Sequence, residues 1–160
     1  MTGKVLVFEP ERCVGCRICE QWCSITHYGE ISPSLSCITI TRDHALQRDN
    51  GIICRQCPDA PCIESCKFDA LTRDQSTGAI LVDADKCVGC RMCIRACPHG
   101  APKMHPTEKR VIICDLCGGS PACVAHCPEQ AIQYLEIHKT ERPYRSAVHN
   151  SQKGGAGRED

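Results

Sequence analysis

At 160 residues, with 19 basic and 19 acidic side chains and a formal net charge of zero, the chain is one compact domain or two small ones and has no basic footprint for nucleic acid. Hydrophobic residues make up 42% and aromatics 4%, but the first figure includes 17 cysteines; without them about three residues in ten are apolar, too few for a conventional core to offset the chain's conformational entropy unaided. No apolar run approaches the roughly 20 residues that span a bilayer, which excludes direct membrane insertion and leaves any membrane association to a partner.

In chain order, Val5 to Phe8 reads as a short strand leading to the first cysteine run, Cys13, Cys16, Cys19 and Cys23. Cys37 to Thr41 reads as a second strand, and Asp49-Asn50-Gly51 as a turn before the second run, Cys54, Cys57, Cys62 and Cys66. Ser76-Thr77-Gly78 marks another turn, and a strand over Ala79 to Val82 delivers the chain to Cys87, Cys90, Cys93 and Cys97. Arg110 to Ile113 is a strand before the fourth run, Cys114, Cys117, Cys123 and Cys127. Helical turns are expected to carry the fourth cysteines, as over Arg91 to Ala96 and Ala122 to His126, with Pro98 and Pro128 stopping them. Ser24 and Lys67 stand where those prolines stand in the other two runs, so these exits are expected to be less rigid. From residue 139 to 160 the chain is Gly-rich and charged, a tail that is disordered or ordered against a partner.

Four runs of four cysteines leave only Cys37 over. A disulfide framework fits badly: the count is odd, Cys-x-x-Cys-x-x-Cys crowds thiols too closely for ordinary pairing, and the N-terminus lacks a secretory h-region or twin arginine, so a reducing cytoplasm is the expected location. Zinc ribbons share Cys-x-x-Cys pairs, but a third cysteine at the next interval has no role there. A 4Fe-4S cubane needs four converging thiolates; a Cys-x-x-Cys-x-x-Cys loop supplies three, with amides turned toward the sulfurs, and the fourth arrives from elsewhere. Cys87 to Pro98 fits the bacterial two-cluster pattern in full, and Gly15 and Gly89 stand where a side chain would hinder amide approach. All sixteen run cysteines are therefore metal ligands in this reading, and cofactor ligation supplies part of the folding free energy, so the cluster-free chain is expected to fold poorly.

Runs one and three share the compact spacing, and runs two and four share an expanded third gap, as a doubled two-run unit would. The histidines follow no repeated spacing; His99 and His126 read as neighbours of the clusters or as solvent-facing, and Cys37 as a small buried apolar residue. Trp22 and Phe68 are placed to shield cluster edges or simply to pack.

The four runs over about 130 residues resemble the four-cluster ferredoxin-like electron-transfer subunits of molybdenum and tungsten oxidoreductases, hydrogenases, formate dehydrogenases and carbon monoxide dehydrogenase. Cys19-Glu20-Gln21-Trp22-Cys23 through His27, Gly29 and Pro33 looks like the smaller cytoplasmic members, including those paired with tungsten aldehyde oxidoreductases and benzoyl-CoA reductase components. The resemblance implies an α+β, duplicated bacterial dicluster ferredoxin-like fold over 1–138, with an outer half of 1–50 plus 108–138 and an inner half of 51–107. It implies nested exchange: Cys13, Cys16, Cys19 with Cys127; Cys114, Cys117, Cys123 with Cys23; Cys54, Cys57, Cys62 with Cys97; and Cys87, Cys90, Cys93 with Cys66. Duplication alone permits sequential pairing equally.

The expected function is electron transfer through four 4Fe-4S clusters, with no catalytic residue in the chain itself. The expected partner is a larger catalytic oxidoreductase subunit, best a tungsten or molybdenum aldehyde oxidoreductase, in a hetero-oligomer with a flavin- or NAD-linked subunit or a soluble ferredoxin at the other end. Rival readings are the electron-transfer subunit of a hydrogenase, formate dehydrogenase or carbon monoxide dehydrogenase, a free polyferredoxin, an iron-sulfur carrier and a zinc-binding interaction module; self-stacking of copies would extend a relay that reaches both surfaces.

Overall fold

The computed structural model describes residues 3–136; the tail expected at 139–160 lies outside them. In chain order the elements are β1 (Lys4–Phe8), α1 (Ile18–Tyr28), β2 (Thr39–Asp43), β3 (Arg48–Ile52), α2 (Pro61–Glu64), β4 (Leu71–Arg73), β5 (Ile80–Val82), α3 (Met92–Ala96), β6 (Lys103–Met104), β7 (Val111–Ile112), α4 (Ala122–Ala125) and β8 (Ile132–Glu136). The architecture is α+β and ferredoxin-like: small antiparallel sheets and short helices around the cysteine loops.

Each strand pairs with one other. β1 lies against β8 with Phe8 opposite Ile132, so the two ends of the described chain are zipped together. Along β1 the side chains of Leu6 and Phe8 turn inward while Val5 and Val7 are half-buried, the period of two expected of a strand with one covered face. β2–β3, β4–β5 and β6–β7 are the other pairs. Two-stranded sheets are marginal alone, so these depend on what they pack against. α1 packs on α4 and α2 on α3. The core interleaves Ile38, Ile80, Val111, Leu116 and Ile132 with the thiols of Cys19, Cys54, Cys93, Cys114 and Cys123. Sulfur thus fills much of the volume that aliphatic side chains fill elsewhere.

Four expectations are corrected. Asp49-Asn50-Gly51 is strand, inside β3, and the turn lies at residues 44–47, where the Asp43 carboxylate accepts the amides of Ala45 and Leu46 and Gln47 takes φ +49°. Gly51 is needed there because a Cβ would lie 2.8 Å from the Phe8 ring. Cys37 precedes β2 rather than belonging to it. The helices carry the third cysteines, Cys19, Cys62, Cys93 and Cys123, and the fourth follow at or beyond the helix ends except Cys23, which stays inside α1. Without a proline at Ser24 the helix runs on to Tyr28 and stops at Gly29 in the left-handed conformation; Ser24 is buried, its hydroxyl donating to the Gln21 carbonyl and accepting the Ser32 amide, so this exit is firm.

Candidate iron-sulfur sites

The four loops repeat one backbone device. The second residue after each first cysteine has positive φ: Gly15 (+69°), Gln56 (+50°), Gly89 (+68°) and Leu116 (+59°). So do Arg17, Ala60 and Arg91, each two residues before a third cysteine, where they cap helices whose first turns receive no side-chain bond. Right- and left-handed residues in succession turn neighbouring amides toward one point, a concave donor array suited to an anion. Gln56 and Leu116 adopt this φ with a side chain; glycine at the other two answers crowding, since a Cβ on Gly15 would lie 2.7 Å from the Asp49 carboxylate and one on Gly89 would lie 2.8 Å from the Lys109 carbonyl oxygen.

The loops bring the cysteines together in groups that mix runs. Cys13, Cys16, Cys19 and Cys127 line one cleft, with Phe8, Ile18 and Ile132 as its apolar wall. Cys87, Cys90, Cys93 and Cys66 line another, beside Phe68, Val88 and Met92. Cys54 has Cys62, Cys57 and Cys97 as neighbours, and Cys97 in turn neighbours Cys57 and Cys62. Cys123 neighbours Cys23 and Cys117. Thiols of different groups also lie near enough to act on one another, Cys19 on Cys123, Cys54 on Cys114 and Cys62 on Cys93. Among the seventeen cysteines only Cys16 and Cys90 are exposed, one in each of the two clefts.

None of the seventeen cysteines is joined in a disulfide. Burial pushes Cys19, Cys54 and Cys123 up to about 12 and Cys93 to about 11, and Cys114 well above its ordinary value. Thiols gathered in this way, many of them buried, suit a polynuclear iron centre: a metal would displace the protons, and loop amides would answer the negative charge of the ligated group. The donor set fits 4Fe-4S.

One group has additional polar neighbours that sequence reading missed. In α1, His27 stands one turn after Cys23; its Nδ1 lies 2.7 Å from the Cys23 carbonyl oxygen and its Nε2 lies 2.9 Å from Asp115 Oδ1. Both partners only accept, so both ring nitrogens carry a hydrogen and the ring is an imidazolium. The Asp115 carboxylate, then the Cys117 and Cys23 sulfurs, hold His27 far above its usual range despite burial; Asp115, which burial would raise, is brought below its ordinary value by His27. Asp115 also accepts the Cys117 amide at 2.9 Å. On the other side of Cys23, the Cys37 amide donates to its sulfur at 3.2 Å. The Cys37 thiol is a second donor, which favours thiolate at Cys23 and keeps Cys37 protonated. The leftover cysteine is therefore more than apolar filling. The histidine signal was its i, i+4 spacing from Cys23, readable only once α1 is known to continue past that cysteine.

Two further residues tie the loops. Buried Gln56 donates to the Cys114 carbonyl at 2.7 Å and accepts the Ile80 amide at 2.9 Å, and Arg73 donates to the carbonyls of Gln56, Cys57 and Gly78. Trp22 stacks on His126, ring centroids 3.5 Å apart and planes 4° apart, so these two residues pack α1 on α4. Phe68 is exposed at the edge of the Cys90 cleft.

Residues 49–137 match the family of the 4Fe-4S dicluster domain. The chain is 40% identical over 136 residues to the aliphatic sulfonate oxidoreductase, polyferredoxin-like subunit, of Pyrococcus furiosus, covering 82% of this chain and 76% of the relative. It is 30% identical over 167 residues to the electron transport protein HydN of Escherichia coli (88% and 92% covered) and 31% identical over 156 residues to the B subunit of anaerobic dimethyl sulfoxide reductase from the same species (85% and 75%). One subunit of the BamBC active-site complex of benzoyl coenzyme A reductase shares the fold, with a TM-score of 0.52 at 22% identity over 85% of this chain and 81% of that one. No helix among the described residues is long and apolar enough to cross a membrane.

Proposed function

We propose that this chain, which belongs to the 4Fe-4S dicluster domain family, is an electron-relay subunit holding four cubanes in a row. It is an iron-sulfur electron-transfer subunit and not itself the catalyst, in keeping with relatives named as electron transport proteins or as subunits of oxidoreductases. What supports the four-centre reading is that two clefts each gather four cysteines, that thiols of the remaining runs neighbour one another between them, and that each cleft has one exposed cysteine, an arrangement that orders the groups in a row. A cubane at each group supplies one-electron uptake and release. The residues of the chain hold the positions: the loops aim amides at the sulfurs, Gln56 and Arg73 lock neighbouring loops, and Val14 and Val88 stand exposed beside Cys16 and Cys90, where partners must come close for electrons to pass.

The ligand sets follow the groups: Cys13, Cys16, Cys19 and Cys127; Cys114, Cys117, Cys123 and Cys23; Cys54, Cys57, Cys62 and Cys97; Cys87, Cys90, Cys93 and Cys66. The left-handed residue three positions after Cys66, Cys97 and Cys127 (Asp69, Gly100 and Gln130) supports descent from a doubled unit, the first run differing because α1 continues. The outer half is then 1–50 with 108–138, the inner half 51–107. One end of the row serves a larger catalytic subunit, best a tungsten or molybdenum oxidoreductase of the aldehyde-oxidising type, in the cytoplasm, and the other a flavin- or NAD-linked subunit or a soluble carrier.

Anaerobic purification from the native host with elemental analysis tests this. About 16 iron per chain with tungsten or molybdenum co-eluting is the expected result. Nickel would move the partner to a hydrogenase or carbon monoxide dehydrogenase, full iron with a monomeric elution would make the chain a free polyferredoxin, and about four zinc with little iron would overturn the reading.

A further inference from the structure

Aspartates tie turns in this chain by the same pair of bonds. The Asp43 carboxylate accepts the amides of Ala45 and Leu46, both at 3.0 Å, and Asp83 accepts those of Asp85 and Lys86 at 3.0 and 3.3 Å. Between β6 and β7 the same two offsets are served by a histidine: His105 Nδ1 accepts the amides of Thr107 at 3.3 Å and Glu108 at 3.0 Å. Nδ1 stands as many bonds from its Cα as an aspartate Oδ1 does, so the ring can take the aspartate's place in the turn. The surroundings explain the exchange. His105 is 7% exposed, its ring packs on Tyr28 of α1 with centroids 5.5 Å apart, and its Nε2 faces the Glu108 carboxylate at 3.3 Å, so a carboxylate here would be a buried charge. The turn so tied reaches the third cysteine loop. Its base is closed by the His105 amide donating to the Arg110 carbonyl at 2.9 Å. The Lys109 carbonyl oxygen lies 2.8 Å from where a Cβ on Gly89 would stand, and the Met104 methyl 3.2 Å from that point. Gly89, at φ +68°, sits between Cys87 and Cys90 and turns the amides of their loop. Its backbone is thus seated on the β6–β7 turn, and Val111 of β7 lines the same cleft as the two cysteines.

We propose that His105 is a positioning residue for the centre held by Cys66, Cys87, Cys90 and Cys93. By accepting two amides it sets the shape of the β6–β7 turn, the turn seats Gly89, and Gly89 aims the loop amides at the sulfurs. Hydrogen bonds to sulfur favour the reduced, more negative cluster, so a loop that loses its seat lowers the potential of that centre. The effect passes through backbone and needs no charge on the ring. The inference rests on the four-cubane reading.

The test separates the acceptor from the bulk of the ring. His105→Asn puts an oxygen where Nδ1 stood but leaves a cavity beside Tyr28, whereas His105→Leu fills more of the space and accepts nothing. Cluster-loaded full chains of both variants and the wild type are titrated potentiometrically, followed by electron paramagnetic resonance, and unfolded anaerobically in denaturant. The centre concerned is the one whose signal is lost or altered in Cys90→Ala. In His105→Leu its midpoint is expected to move negative by at least a threefold change in the reduction equilibrium, about 28 mV for one electron. In His105→Asn it is expected to stay, although this is the less stable protein, and the other three midpoints stay in both. An unmoved midpoint or a positive shift in His105→Leu at full iron content, or an equal shift in His105→Asn, overturns the proposal, because the ring would then only fill space. If His105→Leu loses iron, His105→Gln, whose oxygen stands one bond too far out for such a turn, carries the same criterion. A wild type that binds no iron overturns the four-cubane reading and this inference with it, whereas unmoved midpoints at full iron overturn the inference alone.

Discussion

Replacing Gly89 by alanine separates the two reasons for glycine in these loops. At φ +68° any L-residue meets the left-handed penalty, about 1–2 kcal/mol. Here the new Cβ would also lie 2.8 Å from the Lys109 carbonyl oxygen and 3.0 Å from its carbon. Backbone cannot swing aside as a side chain can, so an overpacking cost of about 1–3 kcal/mol is added, for a total of about 2–5 kcal/mol. Gly78 is the control: its φ is +76°, and nothing lies within 4 Å of its would-be Cβ, so Gly78→Ala costs the conformational part alone. Gly15 falls between, because the obstacle is the Asp49 carboxylate, which can shift at the expense of its 2.9 Å ion pair with Arg42. The assay is anaerobic denaturant unfolding of the cluster-loaded protein, followed by visible absorbance and retained iron. A 3 kcal/mol cost lowers the folded-to-unfolded ratio by more than a hundredfold. The expected order of loss is Gly89, Gly15, Gly78; a Gly78→Ala protein as unstable as Gly89→Ala would refute the crowding argument.

Gln56→Ala leaves the Cys114 carbonyl and the Ile80 amide without their buried partner and is expected to cost about 2–4 kcal/mol, read as a lower unfolding midpoint. Ligand pairing is tested by iron counts in a double-variant cycle: Cys127→Ala and Cys13→Ala each lose one cluster, and together they still lose only one, leaving about 12 iron, whereas sequential pairing leaves about eight. The cluster-free chain is expected to lose its remaining structure as pH rises from about 9 toward 12, measured by far-ultraviolet circular dichroism. The sign follows from the thiols: Cys19, Cys54 and Cys123 are raised to about 12 from 9.0, so the folded form is undisturbed below 9 and loses stability as pH climbs toward the raised value. Cluster-loaded protein, its thiolates already ionised on iron, shows no such step.

The cysteine loops were legible because their signal is local spacing: three sulfurs offered to one centre from one loop demand the x-x intervals whatever the rest of the chain does. Short strands containing β-branched residues were legible for a similar local reason, and β1, β5 and β7 lie within a residue of the spans expected for them. What escaped depended on partners far along the chain. Asp49-Asn50-Gly51 has turn composition, yet it is strand because Phe8 covers Gly51 and Arg42 pairs with Asp49 across the hairpin. His27 looked unremarkable because its partner, Asp115, sits 88 positions on. Cys37 looked apolar for the same reason, its neighbour Cys23 being fourteen residues back around a loop.

The proposed exchange of fourth ligands would have a physical consequence for assembly. Under the proposed sets, the inner pair closes over the 35 residues from Cys62 to Cys97, and the outer pair over the 108 from Cys19 to Cys127. Closure entropy grows with the logarithm of loop length, so the outer closure costs roughly 1 kcal/mol more from an open chain. Once the inner half is held, however, most of the intervening chain is already ordered and the outer loop is effectively short. Nesting therefore makes inner-first assembly the easier route, and the β1–β8 pairing that closes Phe8 against Ile132 belongs to its final step. In a chain whose aliphatic core is too small to fold it outright, that order lets each ligated centre shorten the search for the next. The two ends that close last are also those that carry the thiols of the first group, including exposed Cys16, so the face an electron partner meets there is completed only when the other centres have an ordered place behind it.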